Sequence, residues 1–221
     1  MKSYFSTQGI EKELVVELMC FPPIALFLLW RERMLIVDRH EHYQKRSFRN
    51  RYEILTGQGR YTLSIPLRKG KHQGQRITEV RIAYDRPWIH KHLHTIRSAY
   101  GRAPYFEIYF PTLEQLYRSC PSHLFEWNLN ALRWCMDALQ WDLSYRLSNT
   151  FHATSTDVVE VYRDVLTPRN APQIPLPPYP QVFEDRFGFV TNLSVLDLIF
   201  NLGPEAHSYL KAHHPLLSSW P

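Results

Sequence analysis

Residues 38–51, DRHEHYQKRSFRNR, gather two histidines, a glutamate, a lysine and four arginines around Tyr43 and Phe48. Arginine forks match the geometry of phosphate and carboxylate groups, and aromatic rings pack against a sugar or base face. Residues of these types at this density can therefore hold an anionic ligand. The same composition also suits a solvated edge strand whose cations discourage pairing with another chain. The charge distribution favours the ligand. Residues 39–81 carry 11 Lys and Arg against 3 Glu, whereas the net charge of the whole chain is only +5. A local positive field concentrates anionic substrates and speeds their encounter, without bearing on the fold.

Histidine supplies the other candidate chemistry. His92 falls at the border of the apolar face of a helix expected from Asp85 to about Tyr100, beside Trp88 and Ala99. An imidazole there is fixed in orientation and can reach a cleft as a general base, and a hydrogen-bonded structural histidine fits the same position. His90 and His94 share the opposite side at i, i+4 spacing, but the glutamate of an HExxH motif is absent and no third ligand is near, so no metal site is assigned. Residues 68–76, RKGKHQGQR, are not a P-loop. The upstream glycine is missing, and His72 stands where Ser or Thr should follow Gly70-Lys71. No motif specifies a cofactor. Cys20, Cys120 and Cys135 are odd in number and far apart, with no CxxC pair, which fits a reducing cytoplasm.

The elements that must position these groups follow from periodicity. The apolar run at residues 18–30 is preceded by Glu11, Glu13 and Glu17 and broken by Pro22-Pro23, so it is neither a signal peptide nor a transmembrane segment. It reads instead as a strand at 14–19, a Pro-Pro turn, a helix from Ile24 to about Arg31, and a second strand at 34–37. YEILT and RYTLSIPL around Gly57-Gln58-Gly59 form a hairpin, and ITEVRIAY supplies another strand. APYFEIYFPTLEQLYRS is a helix pair or a helix broken at Pro111. Ser122 caps a long helix whose face carries Phe125, Leu129, Leu132, Met136 and Leu139. A short strand at 143–147 precedes a modest helix in STDVVEVYRDVL. The proline-rich residues 168–183 are an extended strap, because Ile174, Leu176, Tyr179, Val182 and Phe183 would be costly to leave in water. Ser194 opens a last apolar helix stopped by Gly203-Pro204. Asp197 is embedded in that helix and calls for a partner, for which an arginine of the basic stretch is the expectation.

The fold expected is α+β or α/β: a single mixed sheet, opened by the strand-helix-strand unit and the hairpin, packed with a helical middle and a C-terminal helical segment. One domain at 13–214, an extension at 1–12 and a tail at 215–221 is the natural division.

Four segments carry a family resemblance: HEHYQKRSFRNR (40–51), YTLSIPL, WIHKHLHTIRSAYGRAPYFEIY (88–109) and YPQVFEDRFGFVTNLSVLDLIFNLGPEA. In unbroken order from about Leu14 to Leu210, the chain resembles the bacterial WbqC-like family, in its Bacteroidetes-type branch, found among O-antigen and other surface-polysaccharide genes. It departs from the family pattern at Ala25-Leu26-Phe27, where many relatives have Gly-Tyr or Glu-Tyr before the phenylalanine, and at Cys20. The resemblance implies a transferase adding glycine or another acyl group to an amino sugar, with site positions at Lys45, Arg49, Asn50, Arg51, Trp88, His92, Asn192 and Asp197. On those positions Lys45, Arg49 and Arg51 would hold the phosphates of a sugar or acyl donor. His92 would deprotonate the attacking amine and Asn50 would polarise the acyl carbonyl. A nucleic-acid-binding protein using residues 39–81 with Tyr43, Phe48, Tyr52 and Tyr61 is the alternative from another class, and a scaffold of a polysaccharide assembly complex is a third. An aminoacyl donor would merge the first two, since tRNA would then be a partner.

Overall fold

The first strand, β1 (Glu13–Val16), runs into Pro22-Pro23, which lack the N–H groups that a strand ladder uses, and the chain turns there into α1 (Ile24–Trp30). Every residue of α1 is buried. It returns the chain to β2 (Leu35–Val37), which pairs parallel to β1 with Leu14 opposite Leu35. The computed structural model describes residues 13–30, 33–70, 72–119, 121–142 and 144–213. The expected extension at 1–12, the tail at 215–221, Arg31, Lys71, Cys120 and Leu143 lie outside the described residues.

The hairpin is β3 (Arg51–Thr56) and β4 (Gly59–Ser64), turned through Gly57 and Gln58 with Gly59 at φ +97°. Three helices follow: α2 (Trp88–Tyr100), α3 (Phe106–Arg118) and α4 (Leu124–Leu139). Then come β5 (Tyr145–Leu147), β6 (Val159–Val161), α5 (Glu184–Phe187), α6 (Val195–Leu202) and α7 (Glu205–His213). Four strands form an all-parallel sheet in the order β5-β2-β1-β6, and β3-β4 stands apart as a two-stranded antiparallel sheet, so the fold is α/β with two sheets rather than one mixed sheet. One face of the parallel sheet sends Leu14, Val16, Leu35 and Val37 into the main core with α1. Val15, Ile36 and Val159 make a smaller cluster on the other face.

Three local expectations change. STDVVEVYRDVL holds a strand, not a helix: Val159 and Val161 alternate with period two and pair beside Glu13 and Val15 of β1. ITEVRIAY makes a single 3-10 turn at Ile77–Glu79 and isolated bridges, Leu67 to Ile82 and Arg81 to His123, because it has no continuous neighbour to pair with. Pro111 sits inside one unbroken helix, α3, where its missing N–H costs one bond to the carbonyl of Glu107. The proline-rich segment is extended only from about Ile174 to Gln181, because residues 168–170 turn and Ala171–Gln173 form a 3-10 helix; Ile174, Leu176 and Tyr179 are buried and Pro175, Pro178 and Pro180 exposed. At α6, Ser194 Oγ accepts the amide of Leu196 and Gly203 ends the helix at φ +53°. No helix among the described residues is long and apolar enough to cross a membrane.

Candidate functional site

In a parallel sheet the strand ends carrying free carbonyls face loops that approach one another, and ligands collect where the strand order reverses. From β1 the chain steps to β2 and then β5 on one side, and places β6 on the other, so the reversal lies between β1 and β6. Each strand is followed at this edge by a buried or half-buried polar residue: Glu17 after β1, Asp38 after β2, Ser148 after β5, and Arg163 and Asp164 just beyond β6. The basic stretch folds over them and contributes Glu41 and Arg49, both 1% exposed.

Arg49 spends its whole fork here. Its Nε donates to both oxygens of Glu41 at 3.1 and 3.0 Å, its Nη2 donates to Glu41 Oε2 at 2.5 Å, and its Nη1 donates to Asp164 Oδ1 at 2.8 Å. Glu17 Oε1 accepts the backbone amide of Asp164 at 3.1 Å. Asp164 takes the left-handed conformation, φ +59°, uncommon for a non-glycine residue, and its side chain is half exposed. Beside this group, Arg163 Nη1 donates to Asp38 Oδ2, while Asp38 Oδ1 accepts from Ser148 Oγ at 3.0 Å and from the amide of His40 at 2.9 Å.

Three carboxyl groups around one guanidinium leave an excess of negative charge in a dry place. Burial pushes Glu41 up to about 8, against the opposing pull of Arg49, with Glu17 and Asp164 adding repulsion. Burial raises Glu17 as well. Arg49 moves upward, because the surrounding carboxylates outweigh its own desolvation. Asp164, paired with Arg49, is the member of this cluster that faces solvent. Among the described residues no group of three or more His, Cys, Asp and Glu is placed to hold a metal ion.

His92 lies elsewhere. It is 2% exposed and joins three elements: Nδ1 faces the hydroxyls of Tyr52 on β3, 3.1 Å, and Tyr117 on α3, 3.4 Å, and Nε2 faces the carbonyl of Ser64 on β4, 3.2 Å. A carbonyl only accepts, so the proton sits on Nε2 and Nδ1 accepts from Tyr52. Burial holds the ring down at about 4, hence neutral. Both ring nitrogens are used, so this arrangement offers no free lone pair to a substrate amine. The general-base role expected of His92 gives way to that of a pin between hairpin and helices.

The remaining expected positions separate into different places. Asn50 is buried, with Oδ1 accepting from Tyr43 Oη at 2.9 Å and Nδ2 donating to the carbonyl of Ile65 at 2.9 Å, contacts that brace the basic stretch against the end of β4. Arg49, tied to carboxylates, is not open to phosphate. Lys45 is exposed at the surface, and Arg51 is half-buried with an unpartnered Nε. Asn192, at φ +50°, accepts the Ala25 amide at the start of α1 with Oδ1 and donates to the carbonyl of Ala171, tying the strap to the sheet's first helix. Asp197 receives Tyr179 Oη at 2.6 Å and Gln181 Nε2 at 2.8 Å rather than an arginine, and burial raises its pKa. Trp88 is buried against His92 and Trp127. Sequence reasoning missed Glu17, Asp38, Glu41, Ser148, Arg163 and Asp164. For Glu17, Asp38 and Ser148 the available signal was a polar residue directly after a short strand.

Fold and site together define an α/β protein whose sheet edge carries a buried carboxyl–guanidinium cluster opened to solvent through Asp164. The model of the WbqC-like protein family matches residues 20–169, more than half of the chain, and the chain belongs to that family. The matched span holds Asp38, Glu41, Arg49, His92 and Asp164, and it ends before the strap reaches α5. No curated protein and no solved structure matches the chain.

Proposed function

We propose that this protein is a transferase of surface-polysaccharide biosynthesis that moves an acyl group, glycyl being one candidate, from a phosphate-bearing or aminoacyl donor to the amine of a sugar. The observation that carries the reading is the excess of carboxyl groups around Arg49 at the reversal point of the parallel sheet, with Asp164 half exposed. A sugar amine arrives as an ammonium ion and pairs with Asp164. The paired ammonium releases its proton to bulk solvent at the half-exposed Asp164, since Glu41 is closed to substrate by its bonds to Arg49. The freed lone pair attacks the acyl carbonyl, the new amide C–N bond forms, and the leaving group departs with the electrons of the bond that breaks. Family membership supports the setting.

The test replaces the chromosomal gene with Asp164→Asn and compares the surface polysaccharide by mass spectrometry with that of wild type and a deletion strain. Loss of one amide-linked acyl group in both altered strains is expected. An unchanged polysaccharide in the deletion strain refutes the reading. Exposed Lys45, Arg46, Arg76 and Arg81 favour a second one, a nucleic-acid-binding protein. It predicts oligonucleotide binding that collapses with salt, and no acyl transfer.

A further inference from the structure

The loop between β5 and β6 carries a side chain that the reading above does not use. Phe151 is 48% exposed, one of the few large apolar side chains left in water among the described residues. Its ring is nonetheless held in place. The guanidinium of Arg163 lies over it, 4.5 Å from the centroid, and the imidazole of His42 meets it edge to face at 5.9 Å and 70°. Arg163 is itself tied to Asp38 and to the carbonyl of His152, the residue after Phe151. Ser148 anchors the start of the loop by donating to Asp38 and accepting the amide of Arg39. The exposed remainder of the ring is therefore a flat apolar surface on a braced support.

Its two neighbours place it at the rim of the carboxyl–guanidinium cluster. Arg163 directly precedes Asp164, His42 directly follows Glu41, and those two carboxylates share Arg49. Charge then selects what can stack there. Glu17, Asp38, Glu41 and Asp164 set four carboxyl groups against the two guanidinium groups of Arg49 and Arg163. A nucleobase would suit the ring, but the phosphates that accompany it meet an edge with an excess of carboxyl groups. A hexosamine brings an apolar C–H face that suits the negative face of an aromatic ring, and an ammonium that suits the exposed side of Asp164.

We propose that Phe151 is the platform for the pyranose ring of the acceptor, which lies with its C–H face on Phe151 and its ammonium at Asp164. Phe151 is then a substrate-binding residue that selects amino sugars. The inference rests on the transferase reading for the identity of the acceptor. Its test reads sugar binding and not transfer, so the two can fail separately.

The experiment titrates the full chain with methyl glucosaminide and follows binding by saturation-transfer NMR, with irradiation confined to aromatic protons. Transfer to the protons of one pyranose face is expected. Affinity should fall about tenfold in Phe151→Ala and Phe151→Leu, the effect of no longer covering the exposed half of a phenylalanine, and Phe151→Tyr should retain it. The ring is half exposed, so the variants should melt with wild type, and Phe151→Leu keeps apolar bulk against Arg163 if the alanine variant loses the fold. A wild type that does not bind the glycoside overturns the proposal, as does unchanged affinity in Phe151→Leu. Displacement of the glycoside by equimolar adenosine monophosphate also overturns it and assigns the ring to a nucleobase. Weakened binding in Phe151→Leu, together with an unchanged polysaccharide in the deletion strain, would support the platform and remove the transferase. Binding weakened in Asp164→Asn but not in Phe151→Leu would keep the amine pairing and overturn the platform.

Discussion

The placement of His92 makes a prediction about stability that a cleft-facing catalytic histidine would not. In the unfolded chain its imidazole titrates at the ordinary 6.5; in the folded protein burial among Tyr52, Tyr117 and Trp88 holds it at about 4. As pH falls from 6.5 towards 4, the unfolded chain binds a proton that the folded chain refuses, so stability present above 6.5 is progressively lost and the loss levels off below the folded value. At about 1.4 kcal/mol per pH unit the contribution is about 3 kcal/mol. His92→Gln isolates it. A carboxamide can donate to the Ser64 carbonyl and accept from Tyr52, and it does not titrate. Urea unfolding of both proteins at steps between about pH 7 and about pH 4 should show wild type losing about 3 kcal/mol more than the variant across the window. Glu41 acts with the opposite sign, since a carboxyl raised to about 8 contributes stability at low pH that is lost as pH rises through that value. Both proteins carry it, so it cancels in the difference. Parallel pH curves would mean that His92 takes up its proton freely in the native state, and the pinned, neutral ring would be wrong.

Two further perturbations probe the scaffold. Arg49→Met removes the cation shared by Glu41 and Asp164 and leaves the buried Glu41 oxygens without their donor, and chemical denaturation at neutral pH should show a loss of about 3–5 kcal/mol. Gly203→Ala would place a Cβ 2.4 Å from the Tyr105 ring at a backbone φ of +53°, whereas at Gly74, φ +76°, nothing lies within 4 Å. Thermal melts should therefore rank Gly203→Ala well below Gly74→Ala, by about 1–3 kcal/mol, as expected where a Cβ meets a packed ring and not open space.

What the sequence disclosed and what it withheld divide along the range of the interaction. The Pro22-Pro23 turn, the hairpin at Gly57 to Gly59 and the Ser194 and Gly203 helix ends are decided by neighbours within a few residues, and these signals correspond to elements in the fold. The strand at Val159–Val161 was hidden, because a short alternation becomes a strand only when β1, far back in the chain, offers it an edge. The basic stretch shows the same limit for electrostatics. A count over residues 39–81 treats Arg49 as available, yet at 1% exposure a guanidinium must be paired, and its carboxylates come from 8 and 115 positions away. Of the cations that do reach solvent beside a cavity, Arg68 and Lys69 fall inside that count, and Arg86 and Lys91 outside it. For His92, helical periodicity located the ring at the edge of the buried face but could not say what would meet it. A base facing substrate and a pin bonded to Tyr52 and Ser64 occupy the same position on the helical wheel, and only the residues arriving from the hairpin distinguish them.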